Sequence, residues 1–160
     1  MVIRSIVTHP DPRLRVTCAP VVDFDANLRA LAADMLETMY DAFGRGLAAP
    51  QVAMTCRMFV MDADWKTGAP APGVFINPEV VRASEGRQIY EEACLSIPHV
   101  NRRIARPSEV HLRWRDETGA RREGSFLGPA AVIVQHETDH LNGILILDHD
   151  AVPLPPEAKP

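Results

Sequence analysis

The segment His136-Glu137-Thr138-Asp139-His140 constrains this chain more than any other. Residues four apart lie on one face of a helix, so the two imidazoles can reach a common point, with a carboxylate beside them. The preceding Ala130-Ala131-Val132-Ile133-Val134 is continuously apolar. A helix with such a flank is predicted to be buried, and buried imidazoles need partners. The fold must therefore carry this helix inside and bring at least one further ligand to it. The His-Glu-x-x-His pattern is the arrangement in which two histidines hold a metal ion and the glutamate serves as general base. The helix is predicted over Pro129–Leu141, with Pro129 in its first turn and Gly143 just past its end.

Cys94, in Glu92-Ala93-Cys94-Leu95-Ser96, is the best third ligand. It lies between the strand-like Gln88–Tyr90 and a turn expected around Pro98. Cys18 and Cys56 are read as inert thiols, the usual state of free cysteine. An odd number of cysteines, without a secretory apolar segment near the start, is read as reduced thiols in the cytoplasm rather than a disulfide framework. One sulfur and two imidazoles make three protein ligands. Structural zinc sites close with four, whereas catalytic sites keep a position for water, so the count points to catalysis. The same donors suit Zn²⁺, Fe²⁺, Co²⁺ or Ni²⁺.

Elsewhere, Leu28, Leu31, Ala32, Met35, Leu36, Met39 and Phe43 recur at helical spacing, predicting an amphipathic helix over 25–43 with Asp25 as N-cap and Gly44 as the C′ residue. Residues 1–24 read as an extended arm with turns at Pro10 and Pro12. Strands are expected at Arg57–Met61, Val74–Ile76, Gln88–Tyr90, Val110–Trp114 and Gly124–Leu127, the last two joined by a turn at Asp116-Glu117-Thr118-Gly119. Helix, strands, then helix predict a single α+β domain over 1–150, with antiparallel strands packed around the helix of the His-Glu-x-x-His segment, and a Pro-rich, flexible tail over 151–160. A net charge of −4 and a pI near 5.8 argue against DNA or an anionic membrane as main partner. No apolar run approaches a membrane span. Docking on a ribosome through a local basic patch such as Arg102, Arg103 and Arg106 stays open, although that patch reads as a solvated face.

Three segments resemble, in order, the signature motifs of the peptide deformylase family. Gly44-Arg45-Gly46-Leu47-Ala48-Ala49-Pro50-Gln51 resembles G-x-G-L-A-A-P-Q, Glu92–Ser96 resembles E-G-C-L-S, and Gln135–Leu141 resembles Q-H-E-x-D-H-L. Pro10–Leu14 and Ile76-Asn77-Pro78 are smaller echoes. The resemblance implies that Cys94, His136 and His140 bind one divalent metal ion per chain, usually Fe²⁺, and that Glu137 is the general base and acid. It further implies that the Gln51 amide and the Leu95 N–H hold the developing oxyanion, and that backbone groups of Arg45, Gly46 and Ala93 pair with an extended substrate. The implied substrate is the formylated N-terminus of a nascent polypeptide, processed by a cytoplasmic monomer. Glu92 and Arg106 are a candidate ion pair beneath the Cys94 segment.

Two positions depart from that pattern. Ala93 stands where the family usually has Gly, which would matter if the backbone there needed a positive φ. Arg45 stands where an aliphatic residue is expected, its stem lining a pocket or its charge recruiting an acidic group. A degenerate paralogue that binds metal or formyl-peptide with little turnover, and a metallopeptidase built on the same helix pattern, are the alternative readings.

Overall fold

Helix α1 (Ala26–Asp41) begins where the Asp25 carboxylate accepts from the Leu28 N–H at 2.9 Å, the predicted cap. It ends one residue earlier than Gly44 would dictate. Phe43, with φ 56°, is the left-handed residue, and its N–H donates to the Tyr40 carbonyl while the Gly44 N–H donates to that of Met39. Phe43 therefore occupies the C′ position and Gly44 the next. Gly44 answers to another constraint: a Cβ there would lie 2.9 Å from Leu95 Cδ1.

Strands follow in chain order: β1 (Gly46–Ala48), β2 (Met58–Met61), β3 (Gly73–Ala83), β4 (Arg87–Cys94), β5 (Ile97–Pro107), β6 (Glu109–Arg115) and β7 (Arg121–Leu127), before helix α2 (Gly128–Leu141). They form an antiparallel five-stranded sheet in the order β1-β2-β3-β6-β7 and a separate β4–β5 hairpin. This computed structural model describes residues 1–156, so 157–160 of the expected tail lie outside the described residues. The result is a mixed α/β domain.

Two strands escaped the sequence reading. β1 has only three residues, too few for alternation to register. β5 was expected to be a turn around Pro98. The chain instead turns at Leu95-Ser96 and resumes as a strand whose Asn101-Arg102-Arg103 segment hides the alternation. β3 runs well past its predicted end at Ile76. Asn77, at φ 50°, and Pro78 sit where the β3–β6 register shifts between Ile76 and Glu79, a bulge that tolerates the missing proline N–H. The Asn77 amide also donates to the Val21 carbonyl and accepts from its N–H, tying the N-terminal arm to the sheet.

The apolar stripe of α1, with Met35 and Met39 fully buried, packs on Leu47, Val60 and Ile76. On the other side Phe59 stacks on Phe75 at 4.7 Å, and Ala131, Val134 and Leu141 of α2 join them. A third cluster around Leu14, Ile97, Ile104 and Leu145 seats the β4–β5 hairpin. At about 25 cal/mol per Å² of apolar surface, burying each large aliphatic side chain is worth about 1.5–3 kcal/mol. No helix among the described residues is long and apolar enough to cross a membrane.

Candidate active site

Two amides tie α2 to the neighbouring hairpin, one at its first residue and one at its middle. Gln88 Nε2 donates to the Gly128 carbonyl at 2.8 Å, and Gln135 Nε2 donates to the Pro107 carbonyl at 3.0 Å. The helix is thereby fixed against the β4–β5 hairpin, whose β4 strand ends at Cys94. Ligand atoms of Cys94, His136 and His140 lie within 4.8 Å of one another, all buried, with 3.4 Å between Cys94 Sγ and His140 Nε2. One sulfur and two imidazole nitrogens at this separation fit a small divalent cation.

The surroundings also favour positive charge. Burial pulls His136 down, yet the Cys94 sulfur and the Glu92 carboxylate hold its proton, up to about 10. A metal ion would take the place of that proton, since ligand imidazoles bind deprotonated. His136 Nδ1 lies 3.0 Å from Glu92 Oε1, leaving Nε2 for an ion. His140 is driven well below the ordinary histidine range by burial and by the charge of His136, which keeps it neutral. Its Nδ1 has no partner among the described residues.

Glu92 is itself held. Arg106 donates to both its oxygens, at 2.6 and 3.0 Å, and to Asp139 Oδ2 at 2.9 Å. Burial pushes Glu92 up, but its bonds to His136 and Arg106 outweigh burial and keep it below its ordinary value. His149 Nε2 lies 2.8 Å from the same Asp139 oxygen, and the Arg102 guanidinium donates to the His149 carbonyl. The predicted Glu92–Arg106 pair is thus present, whereas the predicted basic face is not: Arg106 is 4 % exposed and committed to carboxylates.

On the opposite wall, Gln51 follows Pro50 in a short 3-10 turn after β1. Its Oε1 accepts from the Ala48 N–H at 2.9 Å, which fixes the amide orientation. Its Nε2 donates to Ser96 Oγ at 3.0 Å and lies 3.7 Å from Cys94 Sγ. The N-terminal arm braces both segments, with the Val7 N–H on the Gln51 carbonyl and the His9 N–H on that of Ser96. Glu137 is buried, its Oε2 without a partner among the described residues. Burial, with the nearby Glu92, raises it to about 7 against the opposing pull of His136. Gly46 faces it so closely that a Cβ would sit 2.6 Å from Glu137 Oε1. Only glycine at 46 leaves that carboxylate room.

A cleft of about 310 Å³ opens over these groups, lined by Arg45, Gly46, Gln51, Ala93, Leu95 and Glu137 with the ligands Cys94 and His136. His140 lies behind it, buried. All the residues singled out in the sequence therefore converge at one place. Ala93 needs no positive φ: it lies in β4 opposite Asn101 in extended backbone and is exposed. Sequence reasoning passed over Ser96, Asp139 and His149. Ser96 and Asp139 lay inside the quoted motifs, but nothing in their spacing reveals that one anchors Gln51 and the other Arg106.

The polypeptide deformylase family model matches residues 3–154. A peptide deformylase of Rhizorhabdus wittichii is 49% identical over 154 residues, covering 93% of this chain and 87% of the relative. The crystal structure of the Thermotoga maritima peptide deformylase superposes with a TM-score of 0.89 at 39% identity, covering 95% of this chain and all of that one (100%). A Met-Ala-Ser-bound class I type b peptide deformylase from Acinetobacter baumannii gives a TM-score of 0.86 at 32% identity, covering 93% and 99% of the two chains.

Proposed function

The chain belongs to the polypeptide deformylase family, and on that premise we propose the division of labour within its site. It is an enzyme that removes the formyl group from N-formylmethionine at the start of new polypeptides. Cys94, His136 and His140 hold one divalent metal ion, Fe²⁺ by family expectation. When bound, the ion supplies Lewis acidity that makes water a nucleophile near neutral pH.

The chain's own groups do the rest. The peptide lies extended in the cleft between β1 and β4, paired with backbone groups of Arg45, Gly46 and Ala93. Its methionine side chain turns towards Tyr90, Pro129, Val132 and Ile133 on the apolar wall. The formyl carbonyl sits between the Gln51 amide and the Leu95 N–H. As the carbon becomes tetrahedral, these donors stabilise the oxyanion, each worth about 3 kcal/mol of barrier. Gln51 needs no reorganisation, because Ala48 and Ser96 already orient its amide. Glu137 takes a proton from the attacking water and delivers it to the departing amine. Burial raises this carboxyl above the ordinary carboxylate range, which disposes it to accept and return a proton. The helix that carries His136, Glu137 and His140 is the central element of this machinery. The same reading makes the enzyme a cytoplasmic monomer that acts on nascent chains.

The observation that carries the assignment is the buried Glu137 carboxylate with a free oxygen, next to a sulfur–imidazole triad and against a glycine that leaves it space. The test is formate release from formyl-Met-Ala-Ser by protein reconstituted with Fe²⁺ or Ni²⁺. Glu137→Gln should hold one metal per chain and lose at least about 10²-fold in kcat. A Glu137→Gln variant with near-parental turnover would refute the proton role.

A further inference from the structure

We propose that the rim of the cleft selects formylated peptides bearing an acidic side chain in one of the two residues after the methionine, through Arg45 and Lys66. The inference rests on the deformylase reading of the site and adds to it a substrate preference.

Arg45 and Lys66 are distant in sequence but line one cleft, and both are exposed. The reason is Trp65. Its indole N–H donates to the Gly44 carbonyl at 2.8 Å, and its ring meets Tyr40 edge-on at 5.2 Å. The 3-10 turn Trp65–Thr67 is thereby pinned beside the residue that precedes Arg45, and Lys66 is carried with it. Phe43, 73% exposed, lies 6.3 Å from the Trp65 ring, and the Lys66 ammonium sits 5.8 Å over that same ring.

Neither cation makes an ion pair among the described residues. Arg13, Arg15, Arg113 and Arg122 on the surface are paired, with Asp11, Asp148, Glu123 and Asp116; Arg82 and Arg121 are exposed and unpaired as well but lie away from the cleft, so what distinguishes Arg45 and Lys66 is their place at its mouth. Glu91 lines the same cleft from β4, opposite Arg103 in the β4–β5 register but in no ion pair, so the rim carries two cations against one carboxylate. Two positive charges outside any ion pair, against the single carboxylate of Glu91, leave the cleft mouth locally positive in a chain of net charge −4 and draw anionic groups to it. An extended peptide with its first side chain on the apolar wall sends its next side chains outward, alternating in direction, past this rim. A carboxylate there finds a charge partner, and a lysine meets repulsion.

The experiment measures kcat/KM of the metal-loaded enzyme on formyl-Met-Ala-Ser, formyl-Met-Glu-Ser, formyl-Met-Ala-Glu and formyl-Met-Ala-Lys, at low and high ionic strength. At low salt the better acidic peptide should exceed the neutral one by about fivefold, the scale of an exposed ion pair, and the lysine peptide should fall below it. High salt should collapse the order. Lys66→Gln should reduce the preference, and Arg45→Gln with Lys66→Gln should abolish it. Equal rates on acidic and neutral peptides, with brisk formate release from both, would overturn the rim inference while leaving the deformylase reading intact. Absence of release from every peptide by metal-loaded protein would overturn both.

Discussion

Arg106 and Arg113 each hold a glutamate and stand near a histidine, one inside the domain and one on the β6–β7 surface. Arg106 and Glu92 have side chains 5% and 4% exposed; Arg113 and Glu123 are 59% and 49% exposed. Geometry differs too: Arg106 holds both Glu92 oxygens, at 2.6 and 3.0 Å, whereas Arg113 makes one longer bond to Glu123, at 3.2 Å. Glu123 also accepts from or pairs with His111 at 2.7 Å, as Glu92 pairs with His136 at 3.0 Å. The parts are alike, and dielectric surroundings separate their roles. On the surface, water competes for every charge and a pair contributes little. Inside, each charge has lost its hydration, so removing one partner strands the others. The buried set also ends on a metal-ligand candidate, which makes it a device for orienting His136.

The comparison can be broken at several points. Arg106→Met should have the largest effect, since Glu92 and Asp139 would be left uncompensated. A loss of about 3–5 kcal/mol is expected in urea unfolding of the metal-loaded protein, and a loss near zero would show that the buried set is not holding the fold. Glu92→Gln should weaken metal binding by about 10–100-fold, measured by competition with a chelator. Unchanged affinity would mean that the Nδ1 contact does not orient His136. His149→Ala removes only the outermost member, leaving Arg106 on Asp139. A loss of about 1 kcal/mol in the same unfolding assay is expected, and a loss equal to that of Arg106→Met would show the set to be a single cooperative unit.

Glu123→Gln should do least, with an unfolding midpoint at neutral pH close to that of the parent. Its bonds to His111 and Arg113 hold Glu123 below the ordinary carboxylate range. Any stability it adds is therefore present above that range and lost as pH falls through the lowered value. Parent and variant midpoints should converge in acid and in high salt. A variant markedly less stable at neutral pH would erase the contrast between the two clusters.

How much of this was legible beforehand depended on range. The α1 cap at Asp25 and the β6–β7 turn follow from side chains acting on neighbours a few residues away, and the left-handed Gly143 from the helix end it closes. The same holds for the spacing of His136, Glu137 and His140. The Glu92–Arg106 pair was named in advance, but Arg106 was also counted in a solvated basic face, because sequence does not say which arginine is enclosed. Phe43 rather than Gly44 took the left-handed position. Helix termination needs a left-handed residue there, while Leu95, distant in sequence, needs the space above Gly44.

By itself, then, the sequence determined the helix periods, the motif order, the donor chemistry of Cys94, His136 and His140 and the family to which the chain belongs. Tertiary structure alone decided that Gly46 makes room for Glu137, that Ser96 steadies Gln51, that Asp139 and His149 extend the hold on His136, and that Trp65 brings Lys66 beside Arg45. The physical reason is that propensity and capping act over one or two turns of backbone. Burial, close approach and charge pairing depend instead on which distant segments the packed core brings within a few ångströms.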